Sequence, residues 1–206
     1  MPVPIVPAGE DLCLDFANTR YWRGRAAPTE TLSGFANLLD WLDGRAGLPA
    51  PIVAAARDWA QTRPREAEHL FAAAIDLREA IYGIFAAAAA GATIAEGDLA
   101  RFNGALAATP PRAQLVRAET GYGWATTPAA ISTALLLAPV SWSAADLLTR
   151  LDRQHVRRCA NDECLWLFVD HSKGGTRRWC DMSSCGNRAK SQRHYRRTRP
   201  AAKPQS

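Results

Sequence analysis

Apolar residues recur at three- and four-residue steps through most of the first three quarters of the chain. Phe35, Leu38, Leu39 and Leu42, with Trp41, form a helical stripe that Gly44 and Gly47 stop, and Pro51 opens a second segment reaching Trp59. The longest candidate helix is Arg65–Ala90. There Leu70, Ala73, Ala74, Leu77, Ile81, Ile84 and Phe85 share one face, and an alanine run ends before Gly91. Ile94 to Leu106 reads as a further helix, ended by Pro110-Pro111. Gln114–Thr127 breaks the pattern: Leu115 and Val116, then Thr120-Gly121-Tyr122-Gly123-Trp124, predict a β-hairpin turning on glycine.

Two stretches are harder to place. In Gly9–Trp22, Leu12, Leu14 and Phe16 alternate with Cys13 and Asp15, which fits a short strand or the start of a helix. Ser143 and Asp146 are spaced as a capping box for a helix over Ala144–Arg158, with Leu147, Leu148, Leu151 and His155 as its inner stripe. That helix would run into Cys159 without a linker. The pattern predicts a mostly α protein. A helical domain with a small hairpin covers 1–142, a connecting helix 143–158, a different C-terminal unit 159–199, and a tail 200–206.

The C-terminal unit is defined by cysteines. Cys159-x4-Cys164, fifteen residues, then Cys180-x4-Cys185 is two close pairs and a loop, the layout of a structural zinc site. Four thiolates leave no open coordination position, so the chemistry is structural. A unit this small has too little core to fold without the metal. Cys13 reads as a small buried residue. Trp166, Phe168 and Trp179 flank His171–Thr176, which predicts strands at Leu165–Asp170 and Arg177–Cys180 joined by a turn. Gly186 to Arg197 has no breaker and predicts a helix whose first N–H groups face the negatively charged thiolates, with Gly186 allowing close approach. This order resembles a treble-clef finger.

Trp179-Cys180-x4-Cys185-Gly186-Asn187-Arg188, preceded by a Cys-x4-Cys pair, resembles the CGNR zinc-finger family. Leu12–Thr19 is similar to the N-terminal motif of the ABATE domain that accompanies that finger. The resemblance covers essentially the whole chain. It implies a bacterial stress-induced transcription regulator with a DNA-binding finger and a ligand-sensing body.

Composition agrees with a soluble protein that has a core: 48% of 206 residues are apolar, with seven tryptophans. Met-Pro-Val-Pro-Ile-Val-Pro does not read as a secretory signal, and the apolar run at Ala129–Val140 is too short to span a bilayer, so the expected location is the cytoplasm. Charge is split. Residues 1–149 carry 11 arginines against 15 acids, net −4, whereas residues 150–206 carry 14 basic residues against 5 acids, net +9. A basic end on an acidic body points to a polyanion partner, DNA first and RNA not separable from it.

The candidate nucleic-acid contacts are Lys173, Arg177, Arg178, Lys190, Arg193, Arg196 and Arg197, with 190, 193, 196 and 197 able to share a helix face. Arg188 and Asn187 are read instead as supporting residues, Arg188 folding back toward the thiolates or their surrounding carbonyls. Tyr195 and Trp179 are assigned to the finger's core. Asp15, Asn18 and Thr19 have two readings: a ligand-pocket wall, or caps serving neighbouring helices. The body would sense a small molecule or form a homodimer. None of the four histidines pairs with a carboxylate at a catalytic spacing and no phosphate-binding glycine loop occurs, so no enzyme activity is expected. A zinc-stabilised RNA- or protein-docking module on a helical scaffold is the alternative.

Overall fold

The computed structural model describes residues 3–6, 9, 11–119, 121–126, 130–151 and 155–198; beyond residue 191 it describes the backbone and the Tyr195 side chain. Its longest element is helix α4, Pro64–Ala89, whose 26 residues span about 39 Å. Pro64 opens it with a preset φ and no wasted N–H. Helices α2 (Phe35–Leu42), α3 (Ala50–Thr62) and α5 (Glu96–Ala108) pack on α4. Helix α1, Leu12–Ala17, settles the ambiguous N-terminal stretch. Leu12, Cys13, Leu14, Phe16 and Ala17 are all buried, wedged against α4 and α7 (Ala138–Leu148). Cys13 is fully buried, and burial pushes its thiol up to about 12, so it serves as a small apolar residue.

The hairpin over 115–126 is present as β4 (Leu115–Arg117) and β5 (Tyr122–Thr126), turning at Gly121. A third strand, β1 (Val3–Ile5), adds to β5 with Ile5 opposite Trp124. A second antiparallel ribbon, β2 (Arg20–Tyr21) with β3 (Thr29–Glu30), projects from the body after α1. The short helix α6, Thr133–Leu136, is capped by Ser132, whose Oγ accepts from the Leu135 N–H at 3.2 Å.

Among the described residues, the helix expected over Ala144–Arg158 is present only as Ala144–Leu148, the end of α7. Helix α7 starts at Ala138 and ends at Leu148, and Val156–Arg158 is a strand, β6, paired antiparallel with β7 (Leu167–Val169). Ser143 and Asp146 cap nothing. Ser143 lies mid-helix, where its Oγ accepts the Cys13 N–H at 3.1 Å, and Asp146 holds Arg112 through two bonds of 2.7 and 2.8 Å. His155 is exposed, not part of an inner stripe. The helical spacing yields because pairing with β7 satisfies the backbone of 156–158 and carries Val156 into the core. Strand β7 therefore pairs with β6, and not with 177–180 as expected.

This pairing decides how the C-terminal unit joins the body. Val156, Leu167 and Val169 belong to the same buried cluster as Leu38, Ile81 and Phe85. Each such side chain contributes about 1.5–3 kcal/mol on burial. The outer edge of β7 faces Asn18 of the body. The Asn18 amide donates to the Leu167 carbonyl at 2.8 Å, and its oxygen accepts the Leu167 N–H at 3.0 Å. One side-chain amide thus stands in for a neighbouring strand. The Tyr82 hydroxyl of α4 donates to the Leu165 carbonyl at 3.0 Å.

Beneath the β2–β3 ribbon lies Arg78, 1% exposed, donating to both Glu30 oxygens at 2.6 Å and to Glu79 at 3.0 Å. Arg23 also grips Glu79, at 2.7 Å, and stacks over Tyr82. Burial would raise both carboxyls, but the guanidinium hydrogen bonds outweigh it and hold Glu30 and Glu79 below the usual carboxylate range. The network fixes the ribbon to α4.

Candidate zinc centre and its basic surface

The first cysteine pair sits in the turn between β6 and β7. The Cys159 N–H donates to the Trp166 carbonyl at 2.8 Å, continuing the ladder outward. Within the turn, the N–H groups of Cys164 and Leu165 both reach the Asn161 carbonyl, and Leu165 adopts a left-handed φ of 58°. The tight turn aims two sulfurs to one side. The second pair approaches along 177–180, where the Ala160 N–H donates to the Arg178 carbonyl at 2.9 Å. Asp181 then accepts from the N–H groups of Ser183 and Ser184 and opens a π-helical turn, Met182–Gly186, that presents Cys185. Helix α8, Asn187–Thr198, follows directly. A side chain at Gly186 would put its Cβ 2.9 Å from the Met182 Sδ and 3.5 Å from the Trp179 ring, so the glycine makes room for these two.

All four Sγ atoms lie within 4.8 Å of one another. Cys164 and Cys180 are 3.7 Å apart, and Cys180 and Cys185 are 3.8 Å apart. A tetrahedron with Zn–S of about 2.3 Å requires sulfurs about 3.8 Å apart, whereas a disulfide requires about 2.05 Å. The donor set fits one zinc and no disulfide. Without a cation the sulfurs cannot all ionise: hydrogen bonds from the Cys164 and Cys180 thiols hold Cys159 well below the usual thiol range, and sharing a proton with Cys159 pushes Cys164 above it. A dication removes that conflict. Further donors already point at the sulfurs, from the backbone at Asn161 and Trp166 and from the Asn161 side chain to Cys185 at 3.5 Å.

A family profile described as a putative stress-induced transcription regulator, ABATE, matches residues 10–150, and that of the CGNR zinc finger matches residues 155–198. The chain belongs to the ABATE family and carries a CGNR zinc finger. No curated protein matches it. The four cysteines of the CGNR finger are close enough together to hold one structural zinc, and no helix among the described residues is long and apolar enough to cross a membrane.

The body covers this finger with its β2–β3 ribbon. Trp22, at a left-handed φ of 56°, packs against the cysteine cluster with Trp166 and Trp179. Gly24 donates its N–H to the Glu163 carbonyl at 3.1 Å. A side chain at Gly24 would put its Cβ 1.7 Å from the Asp162 carbonyl oxygen, so only glycine fits. Arg25 pairs with Glu163 at 2.8 Å and lies over Trp22.

The Arg188 guanidinium lies 4.7 Å from the centre of the Trp22 ring, which itself packs on the cysteine cluster, and so links α8 to the body. Asn187 donates to the Ser183 carbonyl at 3.1 Å, a local bond as expected. Trp179 is half-buried beside the cysteines, but Tyr195 is 62% exposed and not core. Lys173, Arg177, Arg178 and Lys190 are exposed. Arg177 donates to the Trp179 carbonyl at 2.9 Å and stacks on Phe168. Arg193, Arg196 and Arg197 fall on α8, and their side chains lie outside the described residues.

Asp15, Asn18 and Thr19 do not gather into one wall. Asp15 is exposed, Asn18 clamps β7, and Thr19 donates to the Phe16 carbonyl at 2.7 Å while accepting from Arg78. Sequence reasoning missed Trp22, Gly24 and the strand-mimicking role of Asn18. Leu-Asp-Phe-Ala-Asn-Thr showed polar residues beside apolar ones, but nothing local names a partner 149 residues away.

Proposed function

We propose that the protein is a cytoplasmic, DNA-binding transcriptional regulator whose zinc finger engages the duplex while the helical body senses a ligand or dimerises. The observation that carries this reading is the exposed basic set on the finger, Lys173, Arg177, Arg178 and Lys190, on a frame held by a closed four-thiolate site. Such a frame holds cations at fixed positions without chemistry of its own, which supports binding over catalysis. For the body, a cavity of about 480 Å³ lined by Thr109, Pro111, Gln114, Thr126, Ser132 and Leu135 is where a small uncharged effector would sit.

The test is a salt titration of duplex DNA binding by zinc-loaded protein. With about five phosphate contacts, the log–log slope should be roughly −4 to −5. Lys190→Ala with Arg193→Ala should flatten it while zinc content stays at one per chain. Binding to RNA alone would favour the docking-module alternative, and no nucleic-acid binding at low salt would refute the regulator reading.

A further inference from the structure

Strand β6 ends in Arg157 and Arg158, and the segment before Cys180 carries Arg177 and Arg178. The Ala160-to-Arg178 backbone bond draws the two pairs together. Between them is a cleft of about 290 Å³ lined by all four arginines, with Ala89 and Ala90 at the end of α4. Of its lining residues only Asp162 is acidic.

Two of the four guanidiniums are held in place. Arg157 donates to the Gly175 carbonyl and lies 4.0 Å from the buried Asp170, and Arg177 donates to the Trp179 and Cys180 carbonyls. The other two, Arg158 and Arg178, are exposed and have no acidic partner among the described residues, Arg178 resting over Trp179. Four like charges around one cleft repel one another, and internal pairing offsets only part of that. Attraction to the negative end of α4 is a weaker explanation. The N–H groups of Ala90, Gly91 and Ala92 already take the Ala86, Ala87 and Ala88 carbonyls, and one cation would suffice there.

We infer that this cleft is a phosphodiester groove in which Arg158 and Arg178 grip the backbone of a nucleic-acid strand. The inference rests on the nucleic-acid reading above and adds a second contact surface apart from α8. Geometry supplies the path. A neighbouring cleft, lined by Asn161, Trp179, Arg188 and Ala189, shares Ala160 and Asp162 with this one. A strand leaving the groove therefore arrives at the first turn of α8. The free guanidinium forks suit phosphate oxygens, which Lys would meet only as a point charge.

The experiment compares zinc-loaded wild type, Arg158→Ala/Arg178→Ala, Arg158→Lys/Arg178→Lys and Lys190→Ala/Arg193→Ala on a labelled DNA duplex and on single-stranded RNA across a salt series. The double alanine variant should bind roughly tenfold or more weakly. Its log–log salt slope should be shallower by about 2, with zinc content and melting temperature unchanged. The lysine variant, which preserves charge and fold, should fall between. Wild-type affinity and slope in the double alanine variant, with binding lost in the α8 variant, would overturn the groove and leave the regulator reading intact. A lowered melting temperature with unchanged binding would assign the arginines to α4 and overturn it too. Loss in the groove variant on RNA but not on DNA would retain the groove and move its ligand to RNA. Wild type binding neither would overturn both.

Discussion

The two ends of the CGNR finger are held by different physics. The β6–β7 end is an extension of the body: Val156, Leu167 and Val169 sit in its core, and Asn18 closes the strand edge. At the sulfur end the buried apolar cluster is just Cys159, Cys164 and Cys185, with tryptophans leaning against them. Apolar area stabilises the first and metal coordination the second. The boundary between the two halves of the molecule is thus not the boundary between body and finger. It runs through the finger, between β7 and the segment that carries Cys180 and Cys185.

That division can be broken in order of expected effect. Cys185→Ser, or a strong chelator, should release zinc and unfold 177–198, since structural zinc supplies on the order of 10 kcal/mol to small modules. The β7 amides should stay protected and the body should still melt cooperatively, as followed by hydrogen exchange and circular dichroism. If β7 loses protection along with α8, the finger is one unit and the division fails.

Leu167→Ala should cost about 2–5 kcal/mol of body stability in a denaturant titration while the zinc content stays at one. A loss confined to zinc affinity would place β7 with the metal instead. Asn18→Ala strands the N–H and carbonyl of Leu167 and should cost about 1–3 kcal/mol, with zinc retained. Trp22→Ala removes the platform under Arg188 and should cost about 1 kcal/mol or less in stability, read as faster exchange at the start of α8.

The smallest effect is with pH. Glu30 is held below its ordinary value of 4.5 by Arg78, so the stability it adds is complete above that pH. It is lost as pH falls below 4.5 through the lowered folded-state value. Glu30→Gln should flatten the acid side of the melting profile between those two points. An unchanged profile would mean that Glu30 does not set the acid limit of the ribbon's anchor.

Helices α2, α4 and α5 and the 115–126 hairpin were legible because their signals are local: a 3.6-residue stripe, prolines at the ends, a glycine turn. The cysteine spacing was legible for the same reason, since each pair closes its own turn. Strand β6 was not, because Leu147, Leu148, Leu151 and His155 keep helical spacing up to it, and only β7 reveals the alternative. Strand β1 gives three residues, one of them Pro4, and depends on β5 more than a hundred positions later. Trp22, Gly24 and Asn18 look like ordinary loop and helix-end residues until the finger is laid against them. Arg158 was passed over because it precedes the first cysteine, and its groove exists only once 177–178 folds back.

Asn18 also sets a timetable for synthesis. Its partner Leu167 leaves the ribosome 149 residues later, which at ordinary elongation rates is roughly 7–30 s. Until then α1 has a polar amide and the core an apolar gap that nothing yet made can fill. The body therefore cannot complete itself ahead of its finger. A nascent chain stalled before β7 should be the form on which chaperones and proteases act.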